Sequence, residues 1–170
     1  MAYISILGNQ VEINPKNSTL ESTLDDKGRV VIPASFRDYY SGKLVITRGV
    51  EHCLWVMTTA AYEKFLTNFK KSSEELNFST ATKKSFYRHH ETTAQYVEID
   101  SKTGRIPISA ALRAYASLTK DCMVVDFKNY LEIWNAELNR AYMEEVQAVT
   151  KDIHEKLLGQ VDLFSDGGQV

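Results

Sequence analysis

Thr23-Leu24-Asp25-Asp26-Lys27-Gly28-Arg29-Val30-Val31-Ile32-Pro33-Ala34-Ser35-Phe36-Arg37 packs a strand end, a charged turn, a second strand and a helix start into one short stretch. It has an echo 76 positions later, in Ile99-Asp100-Ser101-Lys102-Thr103-Gly104-Arg105-Ile106-Pro107-Ile108-Ser109-Ala110-Ala111-Leu112-Arg113. Gly-Arg recurs, and a second arginine follows eight residues after the first, at Arg37 and Arg113. One unit is used twice, and a repeat governs the fold before any local detail does.

Asp25, Asp26, Lys27 and Gly28 have turn composition, and Gly reaches φ > 0 without a steric penalty. The flanks Thr23-Leu24 and Val30-Val31-Ile32 read as strands. Together they predict a hairpin or tight β-turn-β whose tip presents Lys27 and Arg29. Pro33 stands where a helix begins, a position that needs no backbone N–H. Phe36, Tyr39 and Tyr40 give that short helix an apolar side, and Gly42 stops it. Cations at a glycine-bearing tip suit an anionic partner: Arg forks onto a guanine edge or a phosphate, and Lys offers phosphate a point charge. The alternative is that Arg29 pairs with Asp25 or Asp26 at the surface. Two equivalent basic tips on one chain favour a repeating ligand.

The second half repeats the sequel as well. Leu118-Thr119-Lys120 precedes the strand Cys122-Met123-Val124-Val125-Asp126, and Leu131-Glu132-Ile133-Trp134 precedes a helix. The Asp-x-Lys-Gly-Arg turn, the following proline and the later arginine resemble the MraZ family, over roughly residues 19 to 145. The resemblance implies an α+β, β-rich fold: two AbrB-like β-α-β-β units interlocked as a pseudo-two-fold swapped-hairpin barrel, with a helical linker and a C-terminal helix. It also implies a sequence-specific DNA-binding transcriptional regulator of a division and cell-wall gene cluster. Such a regulator binds short direct repeats in double-stranded promoter DNA and assembles into homo-oligomeric rings. It would be cytoplasmic and nucleoid-associated. Carried onto this chain, Lys27, Gly28 and Arg29 with Lys102, Thr103, Gly104 and Arg105 form the DNA contact. Arg29 reads or brackets bases, Lys27 and Thr103 serve phosphates, and the glycines let the backbone turn. Arg37 and Arg113 are expected to brace the helix against a nearby carboxylate or an adjacent subunit, with Asp25 and Asp100 as further structural candidates. The second motif departs from the pattern. Asp100 lies four residues before Gly104, where Asp25 lies three before Gly28, so the second turn has one extra residue.

Composition sets limits. The 170 residues are 44% hydrophobic and 25% charged, an ordinary globular balance. No apolar run approaches the length of a membrane span, and Ile4–Leu7 is too short for a signal-peptide core, so a soluble intracellular protein is expected. A net charge of −2 argues against a nonspecific DNA coat. The charge is uneven, with 17 Lys/Arg against 15 Asp/Glu in residues 1–136 and 3 against 7 in residues 137–170. Weakly basic tips gain affinity when several engage one duplex through an oligomer. Cys53 and Cys122 stand at unequal places with no Cys-x-x-Cys, which predicts buried free thiols and no metal site.

Residues 1–18 read as an N-terminal extension with a turn at Asn14-Pro15. The first unit covers 19–71, its strands Leu44–Thr47 and Cys53–Met57 leading to a helix capped by Thr58 or Thr59 and running to about Lys71. Ser72 and Glu75 fit a capping box opening a helical linker, 72–94, broken near Asn77 to Ser79. Within it, Lys83–Glu91 interleaves bases with aromatics, a candidate phosphate surface or metal-binding pair at His89-His90. Adjacent helix positions diverge by about 100°, so a solvated helix with Phe86 and His90 inward is preferred. The second unit covers 95–136, with Ser109 capping a short helix. Asn135 caps a final helix, 137–159, whose stripe is Leu138, Tyr142, Val149, Ile153 and Leu157. A flexible tail, 160–170, follows Gly159.

Two other functional classes are weighed. Asp25-Asp26 could hold a divalent metal for phosphoryl transfer. However, no third ligand recurs near either tip, the second copy has a single Asp, and no nucleophile, Walker or dinucleotide signature appears. An AbrB-like antitoxin would carry a disordered partner-binding tail, whereas this C-terminus reads mainly as one helix. The sequence therefore predicts no enzyme, no cofactor, no small-molecule substrate and no membrane partner.

Overall fold

The two copies of the repeated stretch fold alike, and each completes the other. The structure, a computed structural model, describes residues 2–6, 9–13 and 18–158. The Asn14-Pro15 turn, the Gly159 stop and the tail 160–170 lie outside the described residues. The chain divides into two compact units at the boundary between Ala136 and Glu137.

In the first unit, strands β1 (Ala2–Ile6) and β2 (Asn9–Ile13) pair only with each other among the described sheets. The first repeat follows as β3 (Thr19–Thr23), β4 (Arg29–Val31), a 3-10 turn (Ala34–Phe36), β5 (Lys43–Arg48), β6 (Leu54–Thr58) and helix α1 (Thr59–Glu75). Helix α2 (Thr80–His90) links it to the second repeat: β7 (Gln95–Glu98), β8 (Arg105–Pro107), α3 (Ala110–Tyr115), β9 (Asp121–Asp126) and β10 (Leu131–Asn135).

Six antiparallel strands form one sheet in the order β3-β9-β10-β6-β5-β7. Each repeat lends its first strand to the other. β3 pairs with β9, setting Leu20 opposite Val124, and β7 pairs with β5, setting Val97 opposite Leu44. Strands β4 and β8 make a separate ribbon with Val30 opposite Ile106. Of the expected hairpin or tight β-turn-β, the tight turn is present: Leu24 and Val30 share an antiparallel bridge and the Asp25 amide donates to the Arg29 carbonyl at 2.9 Å. Beyond the turn, β3 and β4 take their full partners from the second repeat. A three-residue strand has too few ladder bonds to stand alone. Exchange places Val30, Ile32, Ile106 and Ile108, all at most 2% exposed, in one core with Leu44, Leu54, Val124 and Leu131.

Strand β5 is buried on both faces. Leu44 and Ile46 enter that core, and Val45 joins Met57 and Tyr62 in a second cluster with Phe65 and Leu66 packed against it. The Thr58 hydroxyl caps α1 by accepting from the Ala61 amide at 3.2 Å. Thr58→Ala is expected to lower stability by about 1 kcal/mol; urea unfolding with an unmoved midpoint would remove the cap from this account.

Two local expectations change. Ser72 and Glu75 do not open a new helix, because α1 continues through both. No Gly or Pro interrupts Lys70–Glu75, and the break falls at Asn77, with φ 52°. Ser79 then caps α2, accepting from the Thr82 amide at 3.1 Å. After Pro33 the chain makes only a 3-10 turn, with Phe36 and Tyr40 buried and Tyr39 at 52% exposed, so Tyr39 is not part of an apolar side. Phe86 of α2 stacks on Phe69, and His90 is buried against Trp55. Cys53 and Cys122 are buried free thiols.

The second unit contains the body of helix α4 (Ala136–Leu158), laced by the pairs Lys151–Glu155 and Lys156–Asp152. Leu138, Val149, Ile153 and Leu157 of the expected stripe are exposed in the single chain, as is Met143.

Candidate nucleic-acid interface

The two glycine turns are built by the same device, an aspartate that accepts backbone N–H groups ahead of it. Asp25 Oδ1 accepts from the amides of Lys27 (3.0 Å) and Arg29 (2.9 Å), and its carbonyl accepts from Gly28. Asp100 Oδ1 accepts from Lys102 (2.9 Å) and Thr103 (2.8 Å), and its carbonyl accepts from Gly104. Gly28 and Gly104 take φ of +74° and +69°, the left-handed region that glycine enters freely. The extra residue in the second turn shifts which amides the aspartate collects, and this changes the side chains as well.

Asp25 keeps its second oxygen for arginine. Arg29 forks onto Oδ2 through Nε and Nη2, both at 2.8 Å. Arg105 leans across from the other repeat, its Nε 3.5 Å from the same oxygen. One carboxylate therefore gathers both Gly-Arg arginines. The Arg29 side chain beside it holds the Asp25 carboxyl below its ordinary range. The Thr103 amide does the same for Asp100. Of the two sequence readings for Arg29, the pairing with Asp25 is present, yet the Arg29 side chain remains 37% exposed. Lys27, Lys102 and Thr103 are exposed, while both glycines are buried. Arg29, Asp100, Lys102, Arg105 and Pro107 line one open depression beside the ribbon.

Arg37 and Arg113, expected to brace against a nearby carboxylate or an adjacent subunit, donate to backbone carbonyls. Arg37 Nε donates to the Ile32 carbonyl at 2.7 Å and its Nη2 to the Thr103 carbonyl at 3.3 Å. Arg113 donates through Nη1 to the Ile108 carbonyl. A guanidinium carries five N–H donors and no acceptor, and here backbone carbonyls take some of them. The sequence carried no signal that Asp25 would serve Arg105 or that Arg37 would reach Thr103, since both contacts join distant repeats.

His89 and His90 take different partners, although their rings stay in edge contact with centroids 4.6 Å apart. His89 Nε2 donates to the Gly49 carbonyl at 3.0 Å, and His90 turns into the aromatic cluster. Among the described residues, the only grouping of three metal-type ligands is Glu51, Cys53 and Glu132. Glu132 there accepts from the indole N–H groups of Trp55 (3.3 Å) and Trp134 (2.8 Å), and burial pushes the Cys53 thiol up. No helix among the described residues is long and apolar enough to cross a membrane.

A family sequence model described as "MraZ protein, putative antitoxin-like" matches residues 17–88 and 92–160, one match for each repeat. The chain belongs to the MraZ family. Relatives that carry the name Transcriptional regulator MraZ span most of its length. The one from Saccharopolyspora erythraea is 37% identical over 135 residues, covering 79% of this chain and 91% of its own. That from Corynebacterium glutamicum strain R is 36% identical, covering 83% and 95%, and that from Mycobacterium avium is 34% identical, covering 84% and 96%. The two MraZ matches each contain one glycine turn, so the crossing of β3 and β7 joins two copies of one family unit. The hairpin of β1 and β2 lies ahead of the first match.

Proposed function

We propose that this MraZ-family chain is a sequence-specific transcriptional regulator that reads double-stranded DNA through its two glycine turns. The observation that carries the reading is the convergence of Arg29 and Arg105 on the single carboxylate of Asp25, flanked by exposed Lys27 and Lys102. Arg29, with Arg105 beside it, presents a guanidinium to base edges; Lys27, Lys102 and Thr103 hold phosphates. Magnitudes favour the exchange of partners. A partly exposed Arg–Asp pair contributes about 0–1 kcal/mol, whereas a fork on guanine O6 and N7 gives about 1–3 kcal/mol of discrimination. Arg29 therefore loses little in leaving Asp25.

With a net charge of −2, one pair of tips is a weak electrostatic anchor. Assembly of several copies into a ring over short direct repeats supplies the remainder through linked contacts. The exposed apolar stripe of α4 supports such assembly. The target in this reading is the promoter of the chain's own division and cell-wall gene cluster, and the protein works in the cytoplasm at the nucleoid.

A titration at fixed salt tests this, on DNA from upstream of the chain's own gene and on a shuffled duplex. Wild type is expected to prefer the upstream fragment. Arg29→Ala is expected to lose about 1–3 kcal/mol of that preference while keeping its oligomer mass by light scattering. Lys27→Ala should weaken both fragments alike and reduce the salt slope by about one. A wild type without preference, or an Arg29→Ala variant that keeps it, would sink the reading.

A further inference from the structure

Each glycine turn rests on an arginine that belongs to the other repeat. A Cβ at Gly28 would run into the guanidinium of Arg113, and a Cβ at Gly104 would run into that of Arg37. The backbone crosses in the same sense. The Ile108 amide donates to the Gly28 carbonyl at 2.9 Å, and the Ile32 amide donates to the Gly104 carbonyl at 2.8 Å. The arginines close both circuits, Arg113 on the Ile108 carbonyl and Arg37 on the Ile32 carbonyl, with Arg37 reaching on to Thr103. The arrangement is present twice, once from each repeat, although the two turns differ in length. It therefore does not depend on the details of either turn.

We infer that Arg37 and Arg113 are crossed positioning residues, each fixing the turn of the opposite repeat, so that the two turns are held as one rigid unit. Two features drive it. A guanidinium occupies the space beside a glycine that has no side chain to keep it away. Arg113 spends Nη1 on the Ile108 carbonyl, and Arg37 spends Nε and Nη2 on the Ile32 and Thr103 carbonyls, which ties each guanidinium to the inter-repeat junction. The consequence at a duplex rests on the DNA reading above: Lys27 and Lys102 would be set at a fixed spacing by arginines that need not touch the nucleic acid.

Amide hydrogen exchange on the free protein tests the brace without DNA. Arg113→Ala removes the guanidinium packed at Gly28 together with its bond to the Ile108 carbonyl, and is expected to speed exchange at Gly28 and Arg29 by roughly tenfold or more and to leave Thr103 and Gly104 unchanged. Arg37→Ala should do the reverse. If either variant fails to fold, Arg113→Lys and Arg37→Lys keep the charge, remove the fork and should show the same crossed pattern more weakly. A second reading comes from urea unfolding. The loss caused by Gly28→Ala should shrink in an Arg113→Ala or Arg113→Lys background and stay whole in the corresponding Arg37 background. Exchange that rises in the substituted arginine's own repeat, in both turns alike, or in neither overturns the proposal. On upstream DNA at fixed salt, Lys27→Ala should be non-additive with Arg113→Ala and additive with Arg37→Ala. A crossed exchange pattern in a chain that prefers no DNA overturns the DNA reading and leaves the brace. DNA preference without the crossed pattern does the opposite.

Discussion

Gly104→Val is expected to lower the free energy of unfolding by about 2–5 kcal/mol, through left-handed strain and overpacking together. The backbone there has φ +69°, and the guanidinium of Arg37 fills the space a side chain would need. A β-branched residue is a poor occupant of that region even with room to spare. Gly42 supplies the control. It has φ +67° but nothing within 4 Å of the position a Cβ would take. Gly42→Val, the matched substitution, therefore carries only the conformational penalty, about 1–3 kcal/mol. Urea unfolding of both variants separates the two contributions. Equal losses at the two sites would show that Arg37 does not press on Gly104.

Acidification is the second large effect. His90 is 5% exposed, stacked on Trp55 with ring centroids 5.4 Å apart, and edged by Phe65. Burial first, and His89 second, lower its pKa from 6.5 to about 4. The sign follows from proton uptake. Between those values the unfolded chain binds a proton that the folded chain refuses, so stability is whole above about pH 6.5 and falls as pH drops toward 4. A shift of this size corresponds to about 3 kcal/mol. His90→Phe should flatten that part of the pH profile measured by urea unfolding. The helix end stays anchored, because Thr47 (2.7 Å) and Tyr62 (3.3 Å) bond the His90 carbonyl rather than its ring. Matching pH slopes in wild type and variant would contradict the assignment.

What was legible in the chain was local or periodic. Gly28 and Gly104 announced turns, and Thr58 and Ser109 announced helix starts; their hydroxyls accept the expected amides. The paired Gly-Arg motifs announced a repeat. Interlocking of the halves is implied by the family resemblance alone, since nothing in the spacing of Thr19–Thr23 says that its partner is the distant strand β9. The same limit explains the arginines. The sequence suggests a carboxylate or an adjacent subunit as the partner of Arg37, because the Thr103 carbonyl enters its reach only after the repeats cross. Ser72 misled for another reason: a capping pattern is satisfied equally by a start and by an uninterrupted helix, and only Asn77 marks the real end.

At the centre of the sheet the two repeats are not interchangeable. Trp55 faces Glu132 between β6 and β10, the point about which the two repeats are related, and the indole donates to the carboxylate at 3.3 Å. A symmetric pair of identical chains must place the same residue on both sides of such a point. Two first repeats would set tryptophan against tryptophan there. Two second repeats would bury glutamate against glutamate, a juxtaposition that keeps both from ionising. Within one chain the two positions are free to differ, and here they are a donor and an acceptor. At this point the second repeat is matched to its sister repeat and mismatched to a copy of itself.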